Sequence, residues 1–531
     1  MTPLCLFLFC AWAFAQVENT LDIPVLQITD VHGWINGHPR DLNKGNATLG
    51  DFQTLMDVYC ADRDCITIDS GDQVEGTGYS DASNPPGSEI YPIFDQLGLT
   101  ALTVGNHDLF DDRSSVWLHE HIAKGSSSRR PLPDHQHLPG RREDPFGTKR
   151  WHLVTLPHSQ LRVLFLVGWM YNFDNLNTSL WKIVPPAALL ADAALRTDIQ
   201  AAKADLVVSC ATSACAICSP PSRSCSPRAI RVFRQVKCPG ADAQHHQPQE
   251  LTQTLDPPPP SFSATDRPLF CGVLPHGQVG AIWQWSALPQ GGLPIPTITQ
   301  YLGSLVGADD IRDVTTPAGR KVARQIDEIT ARYQLDTVEA SPHGSLSGRR
   351  RRAGGPWAAC MDRTRVASGL YSDSNSLAYF WLHEVLPEVI RELVPHPGNT
   401  IAAYNTADSR ADLPAGKLTR NDLYMVFPFD IPLWEAMMLH NLTRDQLYFA
   451  IEGSPMPSPV PAPPATNPHY ALQVAYRDMD PTKGYDIVTA QYNIMRFVRA
   501  LDSIGVHRVP DALGQTLFIS FRDYLREHYK C

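Results

Sequence analysis

Beyond its first fifteen residues, the 531-residue chain has no apolar run long enough to cross a bilayer, which takes about 20 residues. Its last residues, Glu527-His528-Tyr529-Lys530-Cys531, lack the hydrophobic tail of a lipid-anchor signal. Basic charge is not in excess: 45 Lys and Arg face 55 Asp and Glu, a formal net charge of −10. That balance argues against a nucleic-acid-binding surface. A length of 531 residues exceeds what one core supports, so two or three domains are expected. The 45 prolines point to long loops.

The one apolar run, Pro3-Leu4-Cys5-Leu6-Phe7-Leu8-Phe9-Cys10-Ala11-Trp12, precedes Ala13-Phe14-Ala15, a small-x-small cleavage pattern. Residues 1–15 therefore read as a secretory signal peptide, and export makes the cysteines potential disulfides. Cys60 and Cys65, with four residues between them, are expected to close a small loop. Asn46, Asn177 and Asn441 stand in glycan-acceptor sequences.

Residues 23–110 alternate strand and helix. Apolar runs occupy 23–29, 66–68 and 102–104, and Phe52, Leu55, Met56 and Tyr59 mark one face of a helix over 49–59. A short helix over 91–97 closes on Gly98, and further strands are expected at 162–169 and 204–208. Such alternation predicts an α/β layered fold with the reactive groups at strand ends. Composition then breaks at 125–142 and 209–268, the second carrying Cys210, Cys215, Cys218, Cys225, Cys238, His245 and His246. A third break lies over 341–365. These stretches read as irregular inserts, and the cysteine spacing favours disulfides over a structural zinc. Order resumes with a helix through Val322, Ile326, Ile329 and Tyr333 and another over 377–393. Strands follow at 399–405 and 485–489, with a helix from Leu418 between them. The division expected is a first domain over 16–310, a linker with interdomain helices over 311–394, and a second domain over 395–531.

Three strand ends carry the chemistry: Asp30-Val31-His32-Gly33, Gly71-Asp72-Gln73-Val74-Glu75-Gly76 and Gly105-Asn106-His107-Asp108. Carboxylate, imidazole and amide oxygen are ligands for hard or borderline divalent cations, and a bridging carboxylate holds two such ions about 3.5–4 Å apart. Asp30 and His32 suit one ion, Asp72 the bridge and Asn106 the second ion. His107 then stands beside the metals, oriented by Asp108, to stabilise a phosphoryl oxygen or protonate a leaving alkoxide.

These motifs, D-x-H, G-D-x-x-x-G and G-N-H-D in this order and spacing, resemble the calcineurin-like metallophosphoesterases. The resemblance implies a four-layer β-sandwich flanked by helices and two divalent metal ions of the zinc, manganese or iron kind. It also implies metal ligation by Asp30, His32, Asp72 and Asn106, and catalysis by His107 with Asp108. Residues 399–430 resemble the C-terminal α/β domain of 5′-nucleotidases, secreted and vacuolar fungal members being nearest in pattern. In that domain an N-x-G-G-x-R turn meets substrate; here Asn405-Thr406-Ala407-Asp408-Ser409-Arg410 keeps the ends and lacks the glycines. The analogy makes Asn405 and Arg410 ligands of substrate oxygens and Phe429 a platform for a base; core packing is the other reading of Phe429.

The implied activity is hydrolysis of a phosphate monoester, a nucleotide or similar small molecule, by an exported or vacuolar enzyme. One departure counts against it: the family's G-H and G-H-x-H motifs are missing where the strand at 204–208 should deliver them, the chain reading Ser209-Cys210-Ala211-Thr212 instead. Either 209–268 is a mistranslated or mispredicted stretch, or the chain is a degenerate member that acts as a binding protein. Phosphodiesterase and protein phosphatase are further alternatives in substrate.

Overall fold

The structure is a computed structural model. It describes residues 23–28, 30–37, 47–123, 136–137, 151–169, 181–183, 191–211, 274–275, 298–338, 360–361, 363–365, 373–394, 397–405, 409, 411–427, 434–455 and 470–529. The expected signal peptide, the glycan acceptors Asn46 and Asn177, His245, His246, and nearly all of the inserts at 125–142 and 209–268 lie outside these residues, as do Arg410 and Phe429.

A three-stranded parallel sheet organises the first half: β1 (Val25–Ile28), β2 (Ile66–Asp69) and β3 (Ala101–Leu102), with β2 central. Ile28 pairs with Asp69 and Asp69 with Leu102, so all three strands end along one edge. The ladder continues past that edge. Asp30 N donates to Gly71 O (2.9 Å), His32 N to Asp72 O (2.9 Å) and Gly33 N to Gln73 O (2.7 Å). The two metal-type turns are thus paired backbone to backbone before any side chain is considered.

Helix α1 (Leu49–Tyr59) begins in a capping box, Thr48 Oγ1 accepting from Asp51 N while Asp51 Oδ2 accepts from Thr48 N. Its buried face, including Phe52, Leu55 and Met56, packs with Ile90, Phe94 and Leu102 in one core. The short helix α2 (Tyr91–Gln96) carries its proline at the first turn, where a missing N–H costs nothing, and α3 (Asp112–Leu118) is capped by Asp111. On the other side of β2, Ile66 and Ile68 meet Val163 and Val208 of a second sheet and Leu156 just past one of its strands. That sheet runs β4 (Trp151–Thr155), β5 (Arg162–Trp169), β6 (Leu206–Ala211) and Leu274–Pro275, with β5 and β6 parallel across the helix α4 (Ala193–Ala202). The result is a sandwich of two sheets flanked by helices, as the resemblance implies. Cys60 and Cys65 form the expected disulfide.

Helix α5 (Pro317–Tyr333), capped by Thr316, buries Val322, Ile326 and Ile329 against α1. The expected helix over 377–393 is instead three successive segments: Leu377–Phe380, a π-turn Trp381–Val385, and α6 (Leu386–Leu393). Pro387 explains the break, because its ring and absent N–H oppose the bond to residue 383 and the backbone widens by one residue to accommodate it.

The second half is a five-stranded sheet in the order Tyr470–Leu472, Thr400–Asn405, Gly484–Ala490, Glu435–Thr443, Asp511–Thr516. Thr400–Asn405 and Gly484–Ala490 run parallel, and the other neighbours antiparallel. One face carries a core around Trp381, Phe427 and Phe521, the other a core around Leu447, Tyr470 and Phe497. The halves join near the strand-end site. Asn421 Oδ1 accepts from Gly78 N (2.9 Å), Leu335 O accepts from Asn421 N (3.0 Å), and Phe110 packs on both the first core and the Trp381 core.

Candidate metal centre

His32, Asp72 and His107 come together at the ends of the three parallel strands. One donor atom from each lies within 4.8 Å of the others, and all three residues are buried. They arrive from loops 35 to 75 residues apart in sequence, brought to one edge by the register of the sheet. Asp30 is half-buried at the entrance to the first turn, outside this group of three, and Asn106 is buried at the start of the single-turn helix His107–Leu109.

The turns are tight. Asp30, His32, Asp72 and Glu75 all have left-handed backbone, with φ of 52°, 47°, 57° and 67°. Such conformations are uncommon outside glycine and cluster at functional sites. Gly71, at φ 95°, and Gly105 lie so close that a Cβ on Gly71 would strike the Gly105 backbone, and a Cβ on Gly105 would strike the Asp72 carboxylate. Glycine at both positions lets the second and third loops interlock.

Asp108 holds that interlock. Its Oδ2 accepts from Asp72 N (2.9 Å) and Gly105 N (2.8 Å); its Oδ1 accepts from Gln73 N (3.0 Å) and Tyr91 OH (3.1 Å). The His107 ring, expected to be oriented by Asp108, instead has its Nδ1 2.6 Å from Glu75 Oε2. Asp108 points back into the loop bases, and its four partners fill both carboxylate oxygens. Glu75 sits at the fifth position of the G-D-x-x-x-G stretch, and an acid within that motif is the signal the sequence carries for it.

His32 Nδ1 bonds to Val74 O (2.8 Å). A carbonyl can only accept, so Nδ1 carries the proton and Nε2 keeps its lone pair, the form in which an imidazole binds a metal. The His32 and His107 rings meet edge to face at 4.7 Å, and Phe110 closes the other side of His107, also at 4.7 Å.

The electrostatics favour a cation. Burial pushes the Asp72 carboxyl well above its ordinary range, opposed by His107 and reinforced by Asp30 and Asp108. Burial likewise raises Asp69 and Asp108. Carboxylates gathered without water repel one another and favour protons unless positive charge is supplied. Imidazole nitrogen and carboxylate oxygen form a donor set that suits zinc, manganese or iron, and the residues present fit such an ion.

In the second half, Asn405 ends its strand fully buried, its Nδ2 donating to Asn493 Oδ1 (2.9 Å), which also accepts from Tyr470 OH (3.2 Å).

No protein-family model matches the chain. It is 38% identical over 100 residues to an uncharacterised protein of Saccharomyces cerevisiae, the match covering 18% of this chain and 16% of that protein. It is 32% identical over 156 residues to an uncharacterised protein of Schizosaccharomyces pombe, covering 28% and 25%. A protein of Arthroderma benhamiae named a secreted protein is 38% identical over 93 residues, covering 17% and 14%. The matches therefore span a quarter or less of these relatives' length. Among the described residues no helix is long and apolar enough to cross a membrane. Among solved structures, a 5′-nucleotidase of Candida albicans superposes with a TM-score of 0.65 at 16% identity, covering 95% of this chain and 98% of that one. A 5′-nucleotidase precursor of Thermus thermophilus superposes with a TM-score of 0.57 at 12% identity, covering 95% and 96%. From its parallel strand-end site to its five-stranded second sheet, the chain has the α/β fold of the 5′-nucleotidase structures.

Proposed function

We propose that the chain hydrolyses phosphate monoesters, nucleotides foremost, with divalent cations seated at the strand-end site. The observation that carries this reading is the convergence of His32, Asp72 and His107, buried and within 4.8 Å, on an edge where burial raises the Asp72 carboxyl and a cation would offset its charge. In this reading Asp30, His32, Asp72 and Asn106 hold two ions of the zinc, manganese or iron kind. When bound, such ions polarise a phosphoryl oxygen and acidify a water molecule.

The chain's own residues then divide the work. His32, fixed through Nδ1 by Val74, offers a neutral nitrogen. His107, walled by His32 and Phe110, holds a proton at Nε2 for the leaving alkoxide oxygen as the phosphorus–oxygen bond breaks. Asp108 keeps the second and third loops in register. Asn405, Arg410 and Phe429 remain the proposed contacts to substrate, with Asn493 orienting Asn405 from behind. The proposal extends to a location on the secretory route, secreted or vacuolar, of which the secreted relative supports the first.

Purified protein should release phosphate from a nucleoside monophosphate, lose that activity on chelation, regain it with zinc or manganese, and lose it in Asp72→Ala. Activity that survives both chelation and Asp72→Ala overturns the proposal. Cation binding without phosphate release from any ester would identify a binding protein instead.

A further inference from the structure

We infer that Asn441 carries an N-linked oligosaccharide and that this glycan covers the exposed loop over 504–510. The inference rests on the proposed secretory route and is independent of the phosphoesterase reading.

Asn441 opens the acceptor sequence Asn441-Leu442-Thr443 at the end of the strand Glu435–Thr443. In the register with the strand Gly484–Ala490, Leu439 pairs with Ile487 and Leu442 with Tyr485, so His440 and Asn441 together face Asp486 alone. That two-against-one count is a β-bulge, and it turns residue 441 out of the ladder. Leu442 is buried in the core around Leu447 and Phe497, while Asn441 and Thr443 on either side of it are exposed. The fold grips the middle residue and presents to solvent the two that define the acceptor sequence.

Both residues also serve the local backbone. Asn441 has φ 54°, a conformation that asparagine tolerates better than most residues. Thr443 caps the helix Arg444–Glu452, its Oγ1 accepting from Gln446 N (3.2 Å). An asparagine kept only for a left-handed turn commonly spends its amide on nearby backbone. Here Nδ2 bonds to no described residue, and the main chain does the fastening: Asn441 N donates to Asp486 Oδ1 (2.9 Å) and Asn441 O accepts from Arg508 Nη2 (3.4 Å). A Cβ on Gly484 would strike Asn441 Oδ1, so the amide oxygen lies over that glycine and Nδ2 on the other side of the amide carbon. A sugar joined to Nδ2 therefore displaces no hydrogen bond of the described fold.

Arg508 ties the bulge to the loop between the helix Gln491–Ser503 and the strand Asp511–Thr516. That loop holds out two large apolar side chains, Ile504 at 45% exposure and Val509 at 83%. Exposed loops of this kind are preferred sites of proteolytic nicking. A glycan rooted one hydrogen bond away from Arg508 lies across them. In the transfer, Asn441 Nδ2 bonds to the anomeric carbon of a lipid-diphosphate-linked oligosaccharide as the bond from that carbon to the diphosphate oxygen breaks. Nδ2 gives up one proton, and the lipid diphosphate leaves.

The full-length chain, produced in a eukaryotic host behind a supplied secretory leader, meets the transferase whatever route its own first residues select. Glycosidase release in oxygen-18 water converts a glycosylated asparagine to labelled aspartate and should mark position 441 in most molecules. The intact mass should fall by one glycan in Asn441→Gly, which suits the left-handed backbone, and in Thr443→Ala. The glycan should stay in Thr443→Ser, which keeps both the acceptor sequence and the cap. Trypsin cleavage after Arg508, read as a new N-terminus at Val509, should be several-fold slower in the glycosylated protein than in the same protein after enzymatic deglycosylation. An unlabelled Asn441 in the recovered protein, or an unchanged glycan count in Asn441→Gly, overturns the inference. Equal cleavage with and without the glycan overturns its covering role. No arm reads phosphate release, so failure of the phosphoesterase reading and failure of this inference are separate outcomes.

Discussion

Replacing Asp108 by asparagine distinguishes two roles for that carboxylate. Its four partners divide between two oxygens: Asp72 N and Gly105 N on Oδ2, Gln73 N and Tyr91 OH on Oδ1. Asparagine has only one acceptor oxygen. In the better of its two orientations that oxygen faces Asp72 N and Gly105 N, and the Tyr91 hydroxyl turns to accept from the new amide. Gln73 N–H is then left buried opposite a donor. A buried orphan donor costs about 1–3 kcal/mol, and the two retained bonds fall from the charge-assisted to the neutral class, about 1 kcal/mol less each. Removing a buried carboxylate offsets part of this, since burial already raises the Asp108 carboxyl. The expected net loss is about 2–4 kcal/mol, against about 0.5–1.5 kcal/mol for Tyr91→Phe, which removes one bond of the four. Hydrogen exchange read on peptides covering residues 70–76 and 103–109, together with urea denaturation, measures both variants. Exchange should accelerate at both loops at once in Asp108→Asn. A variant within about 0.5 kcal/mol of wild type would refute the clamp. Combined with lost activity, it would restore Asp108 to the role of orienting His107.

Other expectations follow from the same geometry. Asp64 is raised by burial, but its bonds from Ser159 N and His158 N outweigh this and hold the carboxyl below its ordinary value. A depressed folded value means its stabilisation is present above the unfolded pKa of about 3.9 and is lost as pH falls through the folded one. Urea midpoints followed downward from about pH 6 should therefore fall less steeply in Asp64→Asn than in wild type. Gly105→Ala should destabilise by about 1–3 kcal/mol and weaken cation binding, because the new methyl meets the Asp72 carboxylate; calorimetric titration with zinc reports it. Opening the Cys60–Cys65 loop by Cys60→Ser should cost no more than about 2 kcal/mol, the loop-entropy value for so short a ring, read from the thermal midpoint.

Local pattern made much of this fold readable in advance. The helix Leu49–Tyr59 has the ends that its apolar spacing and Thr48 cap prescribe, and the strands at 66–69 and 162–169 lie where their β-branched runs lie. The shared edge was also legible, because hard metal-ligand types recur after successive parallel strands. The pairings inside the site were not. Glu75 meets His107 across 32 residues, and Asp108 meets Asp72 across 36, through turns whose left-handed backbone no propensity specifies. Adjacency in sequence tied His107 to Asp108; the loop interlock turned the second of these residues away from the first. The π-turn at Trp381–Val385 escaped notice because apolar periodicity survives a one-residue widening.

The left-handed turns have an evolutionary consequence. Asp30, His32, Asp72 and Glu75 occupy backbone that glycine would adopt without strain, at a cost on the order of 1 kcal/mol apiece. Glycine at any of these four positions would relieve that strain, and at His32, Asp72 and Glu75 it would also remove a buried hydrogen bond of the site. A lineage released from its ancestral task should lose these side chains first, well before its hydrophobic core decays. All four are present together in this chain.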